Sequence, residues 1–315
     1  MRSRLLVLVI AAIAAAGGAA YYFRTPPAPP QGPAPIASGR LEPVQPITQI
    51  APNLYVVPGG GCNTTVFVTS RGVVLVDTKY KDGVDGLLAQ VRTVTDKPIS
   101  YVINTHRHPD HAEGNTQLPA GVKVIVHRNN LQSFKEWRPV SGSGTGSWIG
   151  SDPVAMNDRL TLFDGDEAID LYHFGPAHTD GDVFAVFRAA RVMDVGDVMP
   201  AMRLPVIVLE AGGSGQTFAG VVDQALAIPN IDRIVTGHGP VLPHAELARY
   251  AKLNHALVDY VRTSLRPGSV KNDVFKAFTP SDEFKGYDFG RRVLTMDEID
   301  RSIRPKWKRV WPFTR

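Results

Sequence analysis

Residues 105–111 read Thr-His-Arg-His-Pro-Asp-His, and four side chains in this stretch can bind a metal ion: His106, His108, Asp110 and His111. The stretch follows directly on the apolar run 99–104, whose pattern predicts a buried strand. Zinc binds imidazole nitrogen and carboxylate oxygen at about 2.0–2.2 Å, so its ligands have to converge closely. A tight turn after a strand can direct side chains toward two neighbouring points. We therefore predict two metal positions, with His106 and His108 at one and Asp110 and His111 at the other.

Two further histidines stand in similar surroundings downstream. His178 follows Gly-Pro-Ala and His238 lies between two glycines, each in a loop after an apolar strand. The chain has nine histidines, and the remaining four are explained more simply as core or surface residues: His127, His173, His244 and His255. His173 is the nearest rival because it lies close to His178, but it falls inside a predicted strand.

Asp197 is the candidate for a ligand shared by both metals. It lies just beyond the apolar strand predicted at 191–195. A carboxylate between two divalent cations can bridge them, and paired-metal sites hold their ions about 3.5–4 Å apart. An aspartate after a strand is more often a turn or helix-cap residue, which leaves Asp180, Asp182 and Asp194 as alternatives.

The coarse pattern predicts a mixed α and β fold with two sheets covered by helices. Strands are predicted at 64–70, 72–77, 99–104, 122–127, 168–174, 183–187, 191–195 and 231–235. Helices are predicted at 84–94, 217–227, 245–265, 270–278 and 296–303. The Gly- and Ser-rich segment 140–153 is predicted to be a loop near the site.

The N-terminal sequence predicts export. Arg2 and Arg4 precede an apolar run over residues 5–20, the order typical of a signal peptide or an N-terminal membrane anchor. We assign residues 1–24 to that segment, 25–46 to a Pro-rich linker, 47–252 to the catalytic domain and 253–315 to a C-terminal helical extension. The expected location is the periplasm, either free or anchored to the membrane through the N-terminus.

Composition sets limits on structure and partners. The chain has 315 residues, 43% of them hydrophobic, and a core of that size needs no metal to fold, so a bound metal would be catalytic. The net charge is +4, without a dense basic run that has interleaved aromatic residues in the body of the chain, so no nucleic-acid partner is expected. The single cysteine, Cys62, excludes an intrachain disulfide and is interpreted as a small loop residue.

The HxHxDH motif, followed in order by His178, Asp197 and His238, resembles the signature of the metallo-β-lactamase superfamily over about residues 53–250. The resemblance implies an α+β fold, a four-layer αββα sandwich with the metals at the edge of its sheets. The first metal would be bound by His106, His108 and His178, the second by Asp110, His111 and His238, and Asp197 would bridge them. Asp77, at the end of an apolar strand, matches an aspartate that is usually structural near the metal loop.

The resemblance also implies an activity. We expect a hydrolase with two zinc ions, iron or manganese being the alternatives, that uses a metal-activated hydroxide on a small carbonyl substrate such as a lactam, lactone, ester or thioester. Asp110 would orient the nucleophile and accept or relay a proton. The ligand set is more similar to that of hydroxyacylglutathione hydrolases, lactonases and phosphodiesterases than to that of zinc β-lactamases, which either use a cysteine ligand or lack the bridging aspartate.

Three other classes of function remain open at this point: an oxidoreductase, a phosphodiesterase or nuclease, and a non-enzymatic binding module. A mononuclear iron enzyme similar to persulfide dioxygenases would use two histidines and one aspartate, and metal identity distinguishes it. Flavodiiron-type reductases fit less well because their first motif has Glu where His108 stands. A phosphodiesterase or nuclease of the same fold would bind RNA in a salt-sensitive way. A non-enzymatic binding module would have no need of every ligand.

Overall fold

The computed structural model describes residues 42–136 and 153–303, which belong to one compact unit. The strands are β1 Thr48–Ala51, β2 Leu54–Val57, β3 Thr64–Thr69, β4 Gly72–Val76, β5 Ile99–Ile103, β6 Lys123–His127, β7 Val154–Met156, β8 Arg159–Leu162, β9 Ile169–Tyr172, β10 Phe184–Phe187, β11 Val192–Asp194, β12 Arg233–Val235 and β13 Leu242–Pro243. The α-helices are α1 Val84–Arg92, α2 Pro109–Ala112, α3 Arg128–Glu136, α4 Phe218–Leu226, α5 His244–Ser264, α6 Lys271–Lys276 and α7 Arg292–Ile303.

The first sheet contains β1 to β7 in sequence order. Its first four strands pair antiparallel, and β3 and β4 form a tight hairpin in which Thr69 is paired with Gly72. Gly72 has a φ of 120°, a conformation that favours glycine. From β4 onward the strands are parallel. Parallel pairing places the carboxyl ends of β4 and β5 at the same edge, so the residues that follow them lie close together.

The second sheet has the order β13-β12-β11-β10-β9-β8. Only β11 and β12 pair in parallel, and the other neighbours are antiparallel. The loops after β11 and β12 therefore leave the sheet at one edge, and they carry Asp197 and His238.

Alternation along the strands creates the layers of the fold. In β4, Val74 and Val76 face the core between the two sheets, whereas Val73 and Leu75 face the core beneath α1 and α3. Side chains of successive strand residues point to opposite faces, so a strand buried on both sides reads as a continuous apolar run. In β10, Phe187 faces the core between the sheets and Phe184 faces the helices on the far side.

The helices cover both outer faces. Helix α1 buries Val84, Leu87 and Val91 on one side, the spacing of an amphipathic helix. Helices α4 to α7 pack over the outer face of the second sheet, where they form a hydrophobic core separate from the two described above. The predicted four-layer αββα sandwich with C-terminal helices is therefore confirmed.

Most predicted elements lie within a few residues of the observed ones. The sequence analysis did not predict β1, β2, β7, β8, β13 and α2, which have two to four residues each, or the nine-residue helix α3. The predicted domain boundary at 252/253 falls inside α5, and the division remains a prediction. The predicted signal or anchor and nearly all of the linker and of the loop at 140–153 lie outside the described residues. Within 42–136 and 153–303, no helix is both long and apolar enough to cross a membrane.

A buried polar contact connects the two sheets. The Thr65 hydroxyl in β3 donates to Oδ2 of Asp194 at 2.6 Å, and the Gly196 amide donates to Oδ1 at 3.0 Å. Burial, and next the charge of Asp77, raises the pKa of Asp194 to about 7. The Asp194 carboxyl group thus keeps its proton in the folded state at pH values where an exposed aspartate has lost it.

Truncation of the apolar core should cost much more stability than truncation at the surface. Leu75→Ala removes a fully buried side chain and should lower the free energy of unfolding by about 2–5 kcal/mol. Leu294, which is 53% exposed, is the control, and its alanine variant should stay within about 0.5 kcal/mol of wild type. Urea denaturation measures both, and equal losses would contradict the assignment of Leu75 to the core.

The pH dependence of stability should report on Asp194. Because its folded-state pKa of about 7 exceeds the unfolded value, the folded state holds a proton that the unfolded state releases. That contribution is fully present below about pH 4 and is lost as the pH rises toward 7. Asp194→Asn stays uncharged, so the stability of wild type relative to the variant should fall by on the order of 1 kcal/mol or more from pH 4 to 8.

The measurement is urea denaturation of both metal-free proteins at a series of pH values. Subtracting one from the other cancels the contributions of the other acidic residues. A difference that does not vary with pH would show that Asp194 titrates normally.

Candidate metal centre

Three histidines converge on one point at the edge of the sheets. His106 Nε2 lies 2.9 Å from His108 Nδ1, and His178 Nε2 lies 3.0 Å from the same nitrogen. His106 and His178 are buried, and all three rings are packed edge-on to one another. The three nitrogens, together with a carboxylate oxygen of Asp197, form a group whose ligand atoms lie within 4.8 Å of one another.

A second group lies beside the first. It consists of Asp110, His111 and His238. Asp110 Oδ2 is 3.5 Å from His111 Nε2 and 3.4 Å from His238 Nε2, and the two imidazole nitrogens are 3.4 Å apart. His111 is fully buried, whereas Asp110 and His238 keep some exposed surface. The structure thus brings the ligands together in the same two groups that the sequence predicts.

Asp197 lies between the two groups. Its Oδ2 is 3.7 Å from His178 Nε2 and 3.1 Å from His238 Nε2. Its Oδ1 is 3.5 Å from His111 Nε2 and also 3.1 Å from His238 Nε2. Burial acts to raise the pKa of Asp197, but His238 and His111 outweigh it and hold that pKa well below its usual range. The carboxylate is therefore ionised, and its Oδ2 faces one histidine of each group, His178 and His238.

Hydrogen bonds on the far side of each ring set the tautomer. The Nδ1–H of His178 donates to the carbonyl of Val206 at 2.8 Å, and that of His238 donates to the carbonyl of Gly61 at 2.8 Å. A carbonyl can only accept, so Nδ1 carries the hydrogen in both rings, and Nε2 is the nitrogen that faces the cluster.

The donor set fits divalent metal ions. Burial, and then the neighbouring histidines, lower the pKa values of His106 and His108 well below the usual range, so both rings are neutral. His108 Nδ1 can donate at most one hydrogen to the two nitrogens that face it. Asp197 Oδ1 is buried without a hydrogen-bond partner among the described residues. Neutral imidazoles and ionised carboxylates at this density are the ligands that zinc prefers.

Asp77 supports the centre from behind. Its carboxylate accepts from the backbone amide of Thr105 at 2.8 Å, from the Thr105 hydroxyl at 2.6 Å and from His111 Nδ1 at 2.6 Å. Because the hydroxyl hydrogen of Thr105 is used on Asp77, its oxygen is left to accept from His106 Nδ1 at 3.1 Å. One carboxylate at the end of β4 therefore orients a ring in each group, consistent with the structural role expected of Asp77.

The sequence reading missed Lys79, which holds the loop that supports His238. Its fully buried ammonium group donates to the carbonyls of Val57, Gly59 and Cys62 at 2.7–2.8 Å. Burial lowers the pKa of Lys79 to about 8. These bonds fix residues 59–62, from which Gly61 accepts the hydrogen of His238 Nδ1. A lysine after a strand reads as a surface residue, so no sequence signal identified it.

Cys62 is a buried loop residue behind the second group. Its thiol lies 3.0 Å from the carbonyl oxygen of Asn63, and its sulfur, Asp77 and His111 lie within ligand distance of one another. Burial raises the pKa of the Cys62 thiol, which keeps it protonated. The thiol therefore packs against the outer side of His111 in a non-nucleophilic form.

The alternative aspartates and histidines lie outside the two donor groups. Asp194 binds Thr65, Asp182 accepts from Thr179, and Asp180 pairs with Arg107 at 3.3 Å. His173 donates to the carbonyl of Asp182 and stacks on His127 at 3.8 Å. His244 begins α5, and His255 pairs with Asp223 on the surface. None of these side chains belongs to either donor group.

The chain is similar to known proteins in sequence and in structure. It is 27% identical over 203 residues to a hydroxyacylglutathione hydrolase of Shewanella halifaxensis, a match that covers 61% of this chain and 66% of the relative. The stereoselective inverting sec-alkylsulfatase Pisa1 from Pseudomonas sp. superposes with a TM-score of 0.66 at 15% identity, covering 81% of this chain and 50% of the sulfatase. The chain thus spans two thirds or less of the length of these relatives.

A metallo-beta-lactamase from Pontibacter korlensis superposes with a TM-score of 0.55 at 19% identity, covering 67% of this chain and 99% of that enzyme. At these identities the structural likeness shows the fold alone. The sequence model of the metallo-beta-lactamase superfamily matches residues 57–238, the span from the end of β2 to the last predicted ligand. Since that match covers more than half of the chain, the chain belongs to the metallo-beta-lactamase superfamily, most of whose members are hydrolases.

Proposed function

We propose that this protein is an exported hydrolase that uses two zinc ions to cleave a small carbonyl substrate, a lactam, lactone, ester or thioester. The observation that carries the proposal is the pair of adjacent donor groups that share Asp197. A single-metal enzyme would need only the first group, with His106, His108 and His178. In such an enzyme the second group, which brings Asp110 and His238 together, would have no chemical task.

The thioester and ester classes have additional support from a relative. The Shewanella protein is named for hydrolysis of a hydroxyacyl group on glutathione, and it is 27% identical to this chain over 203 residues. Cys62 lies behind His111 with a protonated thiol, so the second group has the Asp-His-His composition rather than a thiolate ligand. Export rests on the predicted signal or anchor at residues 1–24.

Divalent ions bound at the two groups would supply a Lewis acid for the carbonyl oxygen and lower the pKa of a water. The protein's own residues hold and orient the water and the substrate. Asp110 is the partly exposed carboxylate of the centre, so it can hold a water by hydrogen bond and accept its proton. His238 also keeps exposed surface, which places the approach of substrate on the side of the second group.

Elemental analysis of the purified protein tests the proposal directly. About two zinc ions per chain would support it and justify assays with lactams, lactones, esters and thioesters. One iron per chain, with oxygen consumed in the presence of a persulfide, would identify a dioxygenase instead. A protein that binds no metal after reconstitution would overturn the proposal.

Alanine at either His108 or Asp110 should abolish turnover while the fold is retained. Loss of positioned proton transfer alone costs typically about 10²–10⁴-fold, and loss of a ligand adds to that. His255→Ala is the matched control because His255 lies on the surface, paired with Asp223. Steady-state rates with the best substrate and circular dichroism check the variants. Near-normal rates in either ligand variant would rule out its assigned role.

Asp77→Asn should weaken metal binding although Asp77 is not one of the proposed ligands. It keeps the shape of the side chain but removes the charge that faces Thr105 and His111, and loss of such support typically costs about 10–100-fold in affinity. Zinc titration against a competing chelator measures the change. Asp232→Asn, at an exposed ion pair with Arg191, should bind zinc like wild type. Equal affinities in all three proteins would show that Asp77 only stabilises the fold.

A further inference from the structure

His178 is attached to the segment 206–208 by two hydrogen bonds. Its Nδ1–H donates to the carbonyl of Val206 at 2.8 Å, and its own carbonyl accepts from the amide of Val208 at 3.0 Å. The orientation of the His178 ring therefore depends on how the peptide groups of this segment are held.

The Val206 carbonyl and the Ile207 amide belong to one peptide group. The described peptide bonds are all trans, so within that planar group C=O and N–H point in opposite directions. On the side away from His178, the Ile207 amide donates to Oε2 of Glu298 at 3.1 Å. Glu298 and His178 thus hold the two ends of a single peptide dipole.

Glu298 and Thr295 belong to helix α7, and Arg291 is the residue directly before it. Arg291 donates to Oε1 of Glu298 at 3.0 Å and to the carbonyl of Pro205 at 2.6 Å, and the Thr295 hydroxyl donates to the same carbonyl at 3.0 Å. Residues 291, 295 and 298 have the spacing of one helix face. The helix therefore fixes the peptide groups on both sides of Val206.

The charge of Glu298 has two effects on the Val206–Ile207 peptide group: it holds the group in place and it polarises it. Glu298 is only 8% exposed, so its interaction with the Ile207 amide takes place in a medium that screens it weakly. A chain of hydrogen bonds polarises its members, which makes the Val206 carbonyl a stronger acceptor for His178. The arrangement parallels the direct contact of Asp77 with His111, in which a carboxylate orients a ring and raises its basicity.

We propose that Glu298 is a positioning residue for His178 and acts through the Val206–Ile207 peptide group, with Arg291 and Thr295 holding that peptide in register. The C-terminal helix thereby supports the first donor group from outside, since no side chain of α7 belongs to that group. The consequence for metal binding rests on the proposed function, whereas the orientation of His178 does not.

Nitrogen NMR of the full-length, metal-free protein tests the orientation. In wild type, the His178 ring should be the Nδ1–H tautomer with a slowly exchanging, hydrogen-bonded proton. Glu298→Gln keeps the shape but removes the charge, and Glu298→Ala removes the bond, so the His178 signals should shift in both, more in the second. Arg301→Ala is the matched control, because Arg301 lies on the same helix and pairs at 3.7 Å with exposed Glu210.

Zinc titration of the same proteins tests the consequence. Binding at the three-histidine group should weaken about 10–100-fold in the Glu298 variants, and Arg301→Ala should match wild type. If a Glu298 variant does not fold, Thr295→Val removes one bond to Pro205 without changing charge, and its His178 signals should shift by a smaller amount. Unchanged His178 signals in every folded variant would overturn the proposal. Shifted signals in a protein that binds no zinc would support the positioning role and refute the metal-dependent function.

Discussion

The site depends on the hydrogen bonds that hold the outer ring nitrogen of four of its five histidines, all except His108. Inner nitrogens about 3 Å apart can serve as metal ligands only if their lone pairs face inward, and the outer partners enforce that tautomer. Asp77 does so for His111, Val206 for His178 and Gly61 for His238. Each of these partners needs its own support, so the centre extends well beyond the ligands.

The need for well-supported hydrogen-bond partners explains why the ligands lie where the two sheets end. Parallel pairing of β4 with β5 and of β11 with β12 sends four loops out at one edge, each starting from a strand that is fixed on both faces. Thr65 and Asp194 connect the sheets close to this edge. A rigid edge is a good base for ligand positions, since an error of about 1 Å in a site is costly to its chemistry.

The sequence predicted the side chains of the centre better than their supports. Apolar alternation in β4 and β10 predicts the layers, and a histidine or aspartate directly after a strand marks an edge. The supports follow no such rule. Val206 and Gly61 act through backbone carbonyls, which carry no residue identity, and Glu298 reaches Ile207 across 91 positions of sequence. The missed strands, such as β1 and β7, have two to four residues, too few to show a period.

The two donor groups differ in a way that bears on their tasks. The first is enclosed. Burial lowers the pKa values of His106 and His108, which keeps both rings neutral, and Glu298 of α7 holds the Val206–Ile207 peptide group behind His178. Such an enclosure would suit a metal that stays bound and polarises the substrate. The second has its fully buried histidine, His111, on the inner side, while Asp110 and His238 keep contact with solvent. A group that has to hold a water and pass on its proton needs such access. In the proposed hydrolase, this asymmetry would give rigid support to the first group and proton handling to the second, with Asp197 linking the two.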